Sequence, residues 1–201
     1  MYKIDGINWT ATYNIDPYLL GFWFSRGKGS LIRINKVIDS NIINHLESCD
    51  YTIEHSEKNY YRILKNNVNV LSEFLDNYEN DTKYINSKYI ATAKDFRIKI
   101  LAGFIDGSGS VRKDNKNEIR INGTNSKLFE NIYTIIMSLG FSTNIRSTGE
   151  ITKELTITGV DTCNIPSVNI HKILKPIGNK LRAKSFLGTR FLVRPSPEND
   201  F

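Results

Sequence analysis

Leu101-Ala102-Gly103-Phe104-Ile105-Asp106-Gly107-Ser108-Gly109-Ser110 is the stretch on which the fold turns. It reads as the end of a helix. Phe96, Ile100, Leu101, Phe104 and Ile105 recur at helical spacing, and Thr92 with Asp95 makes a capping-box pattern at the start. Ala102 and Gly103 interrupt the apolar face with almost no side chain. Glycine inside a helix costs about 1 kcal/mol relative to alanine, so it needs a compensating gain, and close approach of a second backbone supplies one. The helix then ends in a Gly-x-Gly turn, where Gly107 and Gly109 are free to adopt φ > 0.

The second backbone is found upstream. Asp16-Pro17 reads as an N-cap and a first helical residue. Leu19-Leu20-Gly21-Phe22 then repeats Leu101-Ala102-Gly103-Phe104, and Gly27 repeats Gly109, 82 residues apart. A repeat of this kind implies a pseudo-twofold axis with two helices packed across it.

The charge is divided unevenly. Of the 27 basic and 21 acidic residues, the portion 1–93 holds 10 and 11, and the portion 94–201 holds 17 and 10. A basic surface attracts phosphate backbones, so the second half is expected to carry most of any electrostatic affinity for nucleic acid. Cys49 and Cys163 are isolated, as are His45, His55 and His171, so no zinc-like spacing exists and the expectation is thiols in a reducing compartment. No apolar run approaches the ~18 residues of a membrane span, and no basic-then-apolar leader opens the chain. An intracellular protein of cytoplasm, nucleus or organelle is expected, without membrane attachment.

Patterning alone organises the second half as helix, two strands, helix, two strands, helix. Ser110–Arg112 and Glu118–Asn122 form a hairpin; Ser126 opens a helix closed by Gly140; Phe141–Arg146 and Glu154–Thr158 form a second hairpin; Val168–Leu174 is a short helix. The first half follows the same order with a gap. Between Gly27 and Ser40 there is room for one strand, Ser30–Lys36, and a stub. Tyr51–His55 and Asn59–Leu64 make its hairpin, and Val68–Tyr78 is amphipathic. The fold class is α+β, with an N-terminal extension over 1–15, a trimmed first half over 16–78, a polar linker over 79–91, a second half over 92–194 and a flexible tail over 195–201.

The paired helices resemble the two signature helices of the LAGLIDADG homing endonucleases, particularly the single-chain kind similar to the endonuclease domains of inteins. Leu101–Gly109 agrees with that signature at seven of nine letters when Phe104 is counted for Leu. The ends, Met1-Tyr2 and Asn199-Asp200-Phe201, lack the nucleophile and terminal His-Asn of an intein, so the endonuclease part alone is expected. The resemblance implies two αββαββα halves in one chain, a monomer with an internal pseudo-dimer, whose sheets form a saddle over double-stranded DNA. It also implies an acidic residue at the eighth motif position of each helix, the two acids holding divalent metals against the scissile phosphates.

Those eighth positions are Arg26 and Ser108. Mg²⁺ wants carboxylate oxygens, whereas Ser108 offers a neutral hydroxyl and Arg26 a permanent cation. The expectation is a DNA-binding protein without cleavage or metal cofactor, a pseudoenzyme; Mg²⁺ would enter only if activity survives. Asp106, the remaining motif acid, lies about 200° from Ser108 around the helix and is the candidate for a displaced metal ligand in an active alternative. An RNA-binding maturase or a protein-interaction module on the same fold is the other alternative. DNA contacts are expected from Arg112, Lys113, Lys116 and Arg120 on the first hairpin, from Arg146 and Lys153 on the second, and from Lys180 and Arg182 in the basic segment 171–194.

Overall fold

The structure, a computed structural model, describes residues 9–10, 13–79, 82–112, 118–124, 126–169 and 171–173. Helix α1 (Pro17–Arg26) begins where Asp16 and Pro17 require it, with the Asp16 carboxylate accepting from the N–H of Tyr18 (2.8 Å) and of Leu19 (3.1 Å). It leads into β1 (Gly27–Lys28), β2 (Leu31–Arg33), α2 (Ser40–Ser48), β3 (Thr52–Glu57), β4 (Tyr60–Lys65) and β5 (Val68–Asn69). A 3₁₀ helix over Val70–Asn77 follows. The antiparallel order β1-β2-β4-β3 makes the first sheet, with β5 added against β4.

The segment read as a polar linker is folded. β6 (Tyr78–Glu79) pairs with β7 (Thr82–Lys83), and α3 (Ser87–Ile90) follows, with Ile85 and Tyr89 in the core. The second half repeats the first: α4 (Lys94–Ser108), β8 (Gly109–Val111), β9 (Glu118–Gly123), α5 (Ser126–Ser138), β10 (Ser142–Ser147), β11 (Lys153–Thr158) and a 3₁₀ helix over Val160–Asn164. Its sheet order, β8-β9-β11-β10, is that of the first sheet. The trimming expected of the first half is present: β1 and β2 have two and three residues where β8 and β9 have three and six.

Helices α1 and α4 pack on each other at the centre, hidden on every side along their contact. Tyr18 to Phe24 and Ile100 to Gly107 are buried without a break, which explains why neither helix carries an amphipathic stripe. The two glycines make the contact. A Cβ on Gly21 would lie 1.9 Å from the Ile100 carbonyl oxygen, and one on Gly103 would lie 2.0 Å from that of Tyr18. Gly107 answers to the same packing, since its Cβ would meet the Ser25 side chain.

Several local expectations are corrected. Gly107 stays helical and Gly109 is extended at φ −74°, so close packing, not positive φ, selects them. Thr92 does not cap α4. Its hydroxyl donates to the Tyr89 carbonyl (2.7 Å) and closes α3, while the N-cap residue of α4 is Ala93. No helix runs through the described part of 168–174. The N–H groups of Val168 and Asn169 are bonded to Asp106, and residues 171–172 form a turn. The 3₁₀ helix at Val160–Asn164 stands nearer β11 instead. The amphipathic segment at Val68–Tyr78 is a short strand and a 3₁₀ helix.

Candidate nucleic-acid interface

At the C-terminal ends of α1 and α4 the two motif positions have separate environments. Arg26 donates from Nε to the Gly107 carbonyl on the opposite helix (2.7 Å) and from Nη1 to Asp39 Oδ2 (2.5 Å). Its guanidinium also stands over the Phe22 ring. Asp39 is wholly enclosed; Oδ2 further accepts from the Asn35 N–H (2.8 Å), and Oδ1 has no hydrogen-bond partner. Ser108 turns back into its own helix, its hydroxyl donating to the Phe104 carbonyl (3.2 Å).

Asp106 faces away from both positions, as the helical angle requires. It is completely buried and accepts from the Tyr18 hydroxyl (2.8 Å), the Val168 N–H (2.7 Å), the Asn169 N–H (3.3 Å) and the Ser167 hydroxyl. Its oxygens are committed to tying segment 167–169 to α4. Burial first, and then the Asp106 charge, push the Tyr18 phenol well above its usual range, so Tyr18 stays a donor.

Two lysines complete the helix ends. Lys83 donates to the carbonyls of Trp23 (3.3 Å), Phe24 (2.7 Å) and Gly27 (2.9 Å). Lys172 donates to those of Ile105 (2.9 Å) and Asp106 (2.7 Å). Trp23 and Phe24 correspond to Ile105 and Asp106 in the 82-residue repeat, so each half supplies an ammonium group to the same two carbonyls of its own motif helix. A cation at a helix C-terminus answers both the unpaired carbonyls and the helix dipole. Burial brings both lysines down to about 8.

This arrangement does not suit a divalent cation. The first motif position already holds a guanidinium fixed by an ion pair, the second offers one neutral hydroxyl, and Asp106 has no oxygen to give up without releasing segment 167–169.

The second sheet presents a polar face. Ile119 and Ile121 on β9 and Leu155 and Ile157 on β11 point to the core, so Glu118, Arg120, Asn122, Glu154, Thr156 and Thr158 share the other side. Ser142, Asn144 and Arg146 on β10 lie opposite Thr158, Thr156 and Glu154 and continue it. Arg112, Arg120 and Arg146 surround an open depression on this face. Lys153 alternates to the core-side parity of β11, opposite Gly123. Lys113, Lys116, Lys180 and Arg182 lie outside the described residues. Glu118 and Glu154 belong to no motif in the sequence, although Glu118 and Arg120 at i, i+2 on one strand form a same-face pair. Asp39, Lys83 and Lys172 carry no motif; only their contacts single them out.

The family model described as homing endonuclease matches residues 86–180. No curated protein matches. Among solved structures the chain is similar to the homing endonuclease I-DmoI in complex with DNA and Ca, at 16% identity and a TM-score of 0.47, covering 74% of this chain and 85% of that one. It is likewise similar to I-DmoI in complex with DNA and Mn, at 16% identity and a TM-score of 0.49, covering 81% and 97%.

Proposed function

We propose, from the match of residues 86–180 to the homing endonuclease model together with the geometry at Arg26, that this protein binds double-stranded DNA and does not cleave it. The observation that carries the second clause is Arg26, bonded to Asp39 and to Gly107 at a motif position where the resemblance implies a metal-holding acid. Two unit charges about 4 Å apart interact by roughly 4 kcal/mol at an effective dielectric near 20, so a fixed guanidinium in place of a carboxylate opposes a dication strongly.

Binding is lopsided. Arg112, Arg120 and Arg146 stand on a face of Asn, Ser and Thr side chains, a set able to meet base edges and phosphates. The corresponding side of the first sheet has Tyr60 and Leu64 at the same parity as Arg62, and two very short strands. The segment 171–194, rich in Lys and Arg and free of acids, adds charge to the second half.

A single experiment tests both clauses. End-labelled random duplex is incubated with the unmodified protein in Mg²⁺ or Mn²⁺, with structured RNA as competitor. The expected result is retained, salt-sensitive binding of intact duplex. It weakens more when Arg112, Arg120 and Arg146 are changed to Gln than when Arg33, Lys36 and Lys58 are. Metal-dependent cleavage by the unmodified chain would overturn the second clause; preference for the RNA would overturn the first.

A further inference from the structure

The arginines of the second sheet are paired with acids. Arg112 Nη1 is 3.7 Å from Glu118 Oε1, and Arg120 Nε donates to that same oxygen at 2.6 Å. Arg120 Nη1 then stands 3.9 Å from Glu154 Oε2, and Arg146 Nη2 is 2.6 Å from Glu154 Oε1. That last contact is a close ion contact and not an aligned hydrogen bond, since Glu154 Oε1 has no hydrogen-bond partner among the described residues. Together they form one line of alternating charge, Arg112, Glu118, Arg120, Glu154, Arg146, running across the sheet from the end of β8 to β10.

The acids lie underneath and the cations on top. Side-chain exposure is 12% for Glu118 and 8% for Glu154, against 44%, 27% and 56% for Arg112, Arg120 and Arg146. Acids needed only for solubility would project into solvent. Here they are sunk at the base of the arginines they contact, so an approaching ligand meets guanidinium groups first.

This ordering has a consequence for recognition. An unpaired surface arginine turns to whichever phosphate is near, which adds affinity without sequence information. An arginine held by a carboxylate beneath it has less charge to offer a phosphate and fewer orientations to lose. Its planar fork of N–H donors matches the O6 and N7 acceptors of guanine in the major groove.

We propose that Glu118 and Glu154 are positioning residues for sequence readout, holding Arg112, Arg120 and Arg146 for guanine edges and away from phosphates. The inference rests on the DNA-binding reading above and specifies how the second sheet discriminates.

The test selects bound sequences from a random duplex library with the full chain, unmodified and as Glu118→Gln, Glu154→Gln and the double variant. Affinity for random-sequence duplex is measured alongside as a function of salt. Glutamine keeps the shape and removes the charge, and thermal melts identify any variant that has lost its fold. The unmodified chain should select sites with fixed guanines. The double variant should bind random duplex several-fold more tightly at low salt, with a salt slope steeper by about one unit for each arginine released to a phosphate. Its selected sites should lose those guanines. A role confined to sheet stability would leave the selected sequence unchanged. Arg120→Lys, with both glutamates intact, is the second variant: it keeps the charge, discards the fork, and should lose the guanine preference at one position. An unmodified chain that selects a sequence, joined by variants that select the same one with the same salt slope, would overturn the inference alone. Failure of the unmodified chain to bind duplex would overturn the DNA-binding reading and the inference with it.

Discussion

The two halves agree inside and disagree outside. Inside, Gly21 meets the Ile100 carbonyl as Gly103 meets that of Tyr18, and Lys83 and Lys172 hold the equivalent carbonyls of their motif helices. Outside, one motif position is a guanidinium locked to a buried acid, and the other is a serine bonded only to its own helix. One sheet has shorter strands and a single exposed Arg62–Glu54 pair beside Tyr60 and Leu64 on its outer side, and the other bears an alternating line of arginine and glutamate. The interior is constrained by atoms that must fit together, and a change on one helix collides with the other. The exterior answers only to a ligand, and each half is free to change separately.

The interior agreement breaks most severely at the glycines. Gly21→Ala and Gly103→Ala each place a methyl group about 2 Å from a backbone carbonyl of the facing helix, where no side-chain rotation relieves it. Each should cost at least the ~3 kcal/mol at the upper end of ordinary overpacking, because two helices must move apart. Urea denaturation should find the two losses similar. A loss confined to one of them would mean that the pair does not share the contact equally.

The motif positions should break the symmetry. Arg26→Leu leaves Asp39 charged in a wholly enclosed place and removes the tie to Gly107. Loss of one partner of a buried pair costs about 3–5 kcal/mol, and because Arg26 is partly exposed the expected loss is about 2–4 kcal/mol. The double variant Arg26→Leu with Asp39→Asn should recover part of it. Ser108→Ala removes one bond within a helix and should stay within about 0.5 kcal/mol of the unmodified chain. Equal costs at the two positions would contradict the asymmetry.

Much of the interior was legible in the sequence. The Leu-x-Gly-Phe repeat marks both helices, and Gly103 marks the contact because a buried helical glycine has few other uses. Strands β9, β10 and β11 and helix α5 follow from alternation and from the 3.6 period. What was not legible depends on distant partners. Thr92 and Asp95 satisfy the capping pattern, yet the Thr92 hydroxyl donates to the Tyr89 carbonyl three residues back and closes α3, a competing local bond that the pattern does not separate from a cap. The helix expected over Val168–Leu174 loses to Asp106, whose carboxylate takes the N–H groups at its start. Asp39 carries no motif in the sequence, and only the fold shows that it balances Arg26. The stretch 79–91 reads as a linker by composition, but Ile85 and Tyr89 are core residues and Lys83 reaches α1.

A smaller effect than the losses at Gly21, Gly103 and Arg26 tests the deepest part of the agreement, the two lysines. Both are held by burial at about 8, below the ordinary value of 10.5, so between these pH values the unfolded chain binds more protons than the folded one. Stability should therefore rise with pH from about 8 toward 10, the opposite of what a lysine in a favourable ion pair would give. Each pH unit corresponds to about 1.36 kcal/mol per fully enclosed lysine, and because both are only partly enclosed the effect is discounted to about 1 kcal/mol in total over this interval. Tyr18, whose phenol is raised by burial and by Asp106, acts in the other direction once free tyrosines ionise near 10, which bounds the window from above. Urea denaturation at pH 8, 9 and 10 on the unmodified chain, Lys83→Met and Lys172→Met isolates the contribution. Each variant should lose a similar share of the rise, since each lysine meets the same pair of carbonyls. A rise removed by only one variant would show that the halves hold their helix ends by different means, and a fall in stability across pH 8 to 10 would show that both ammonium groups are better accommodated charged than neutral.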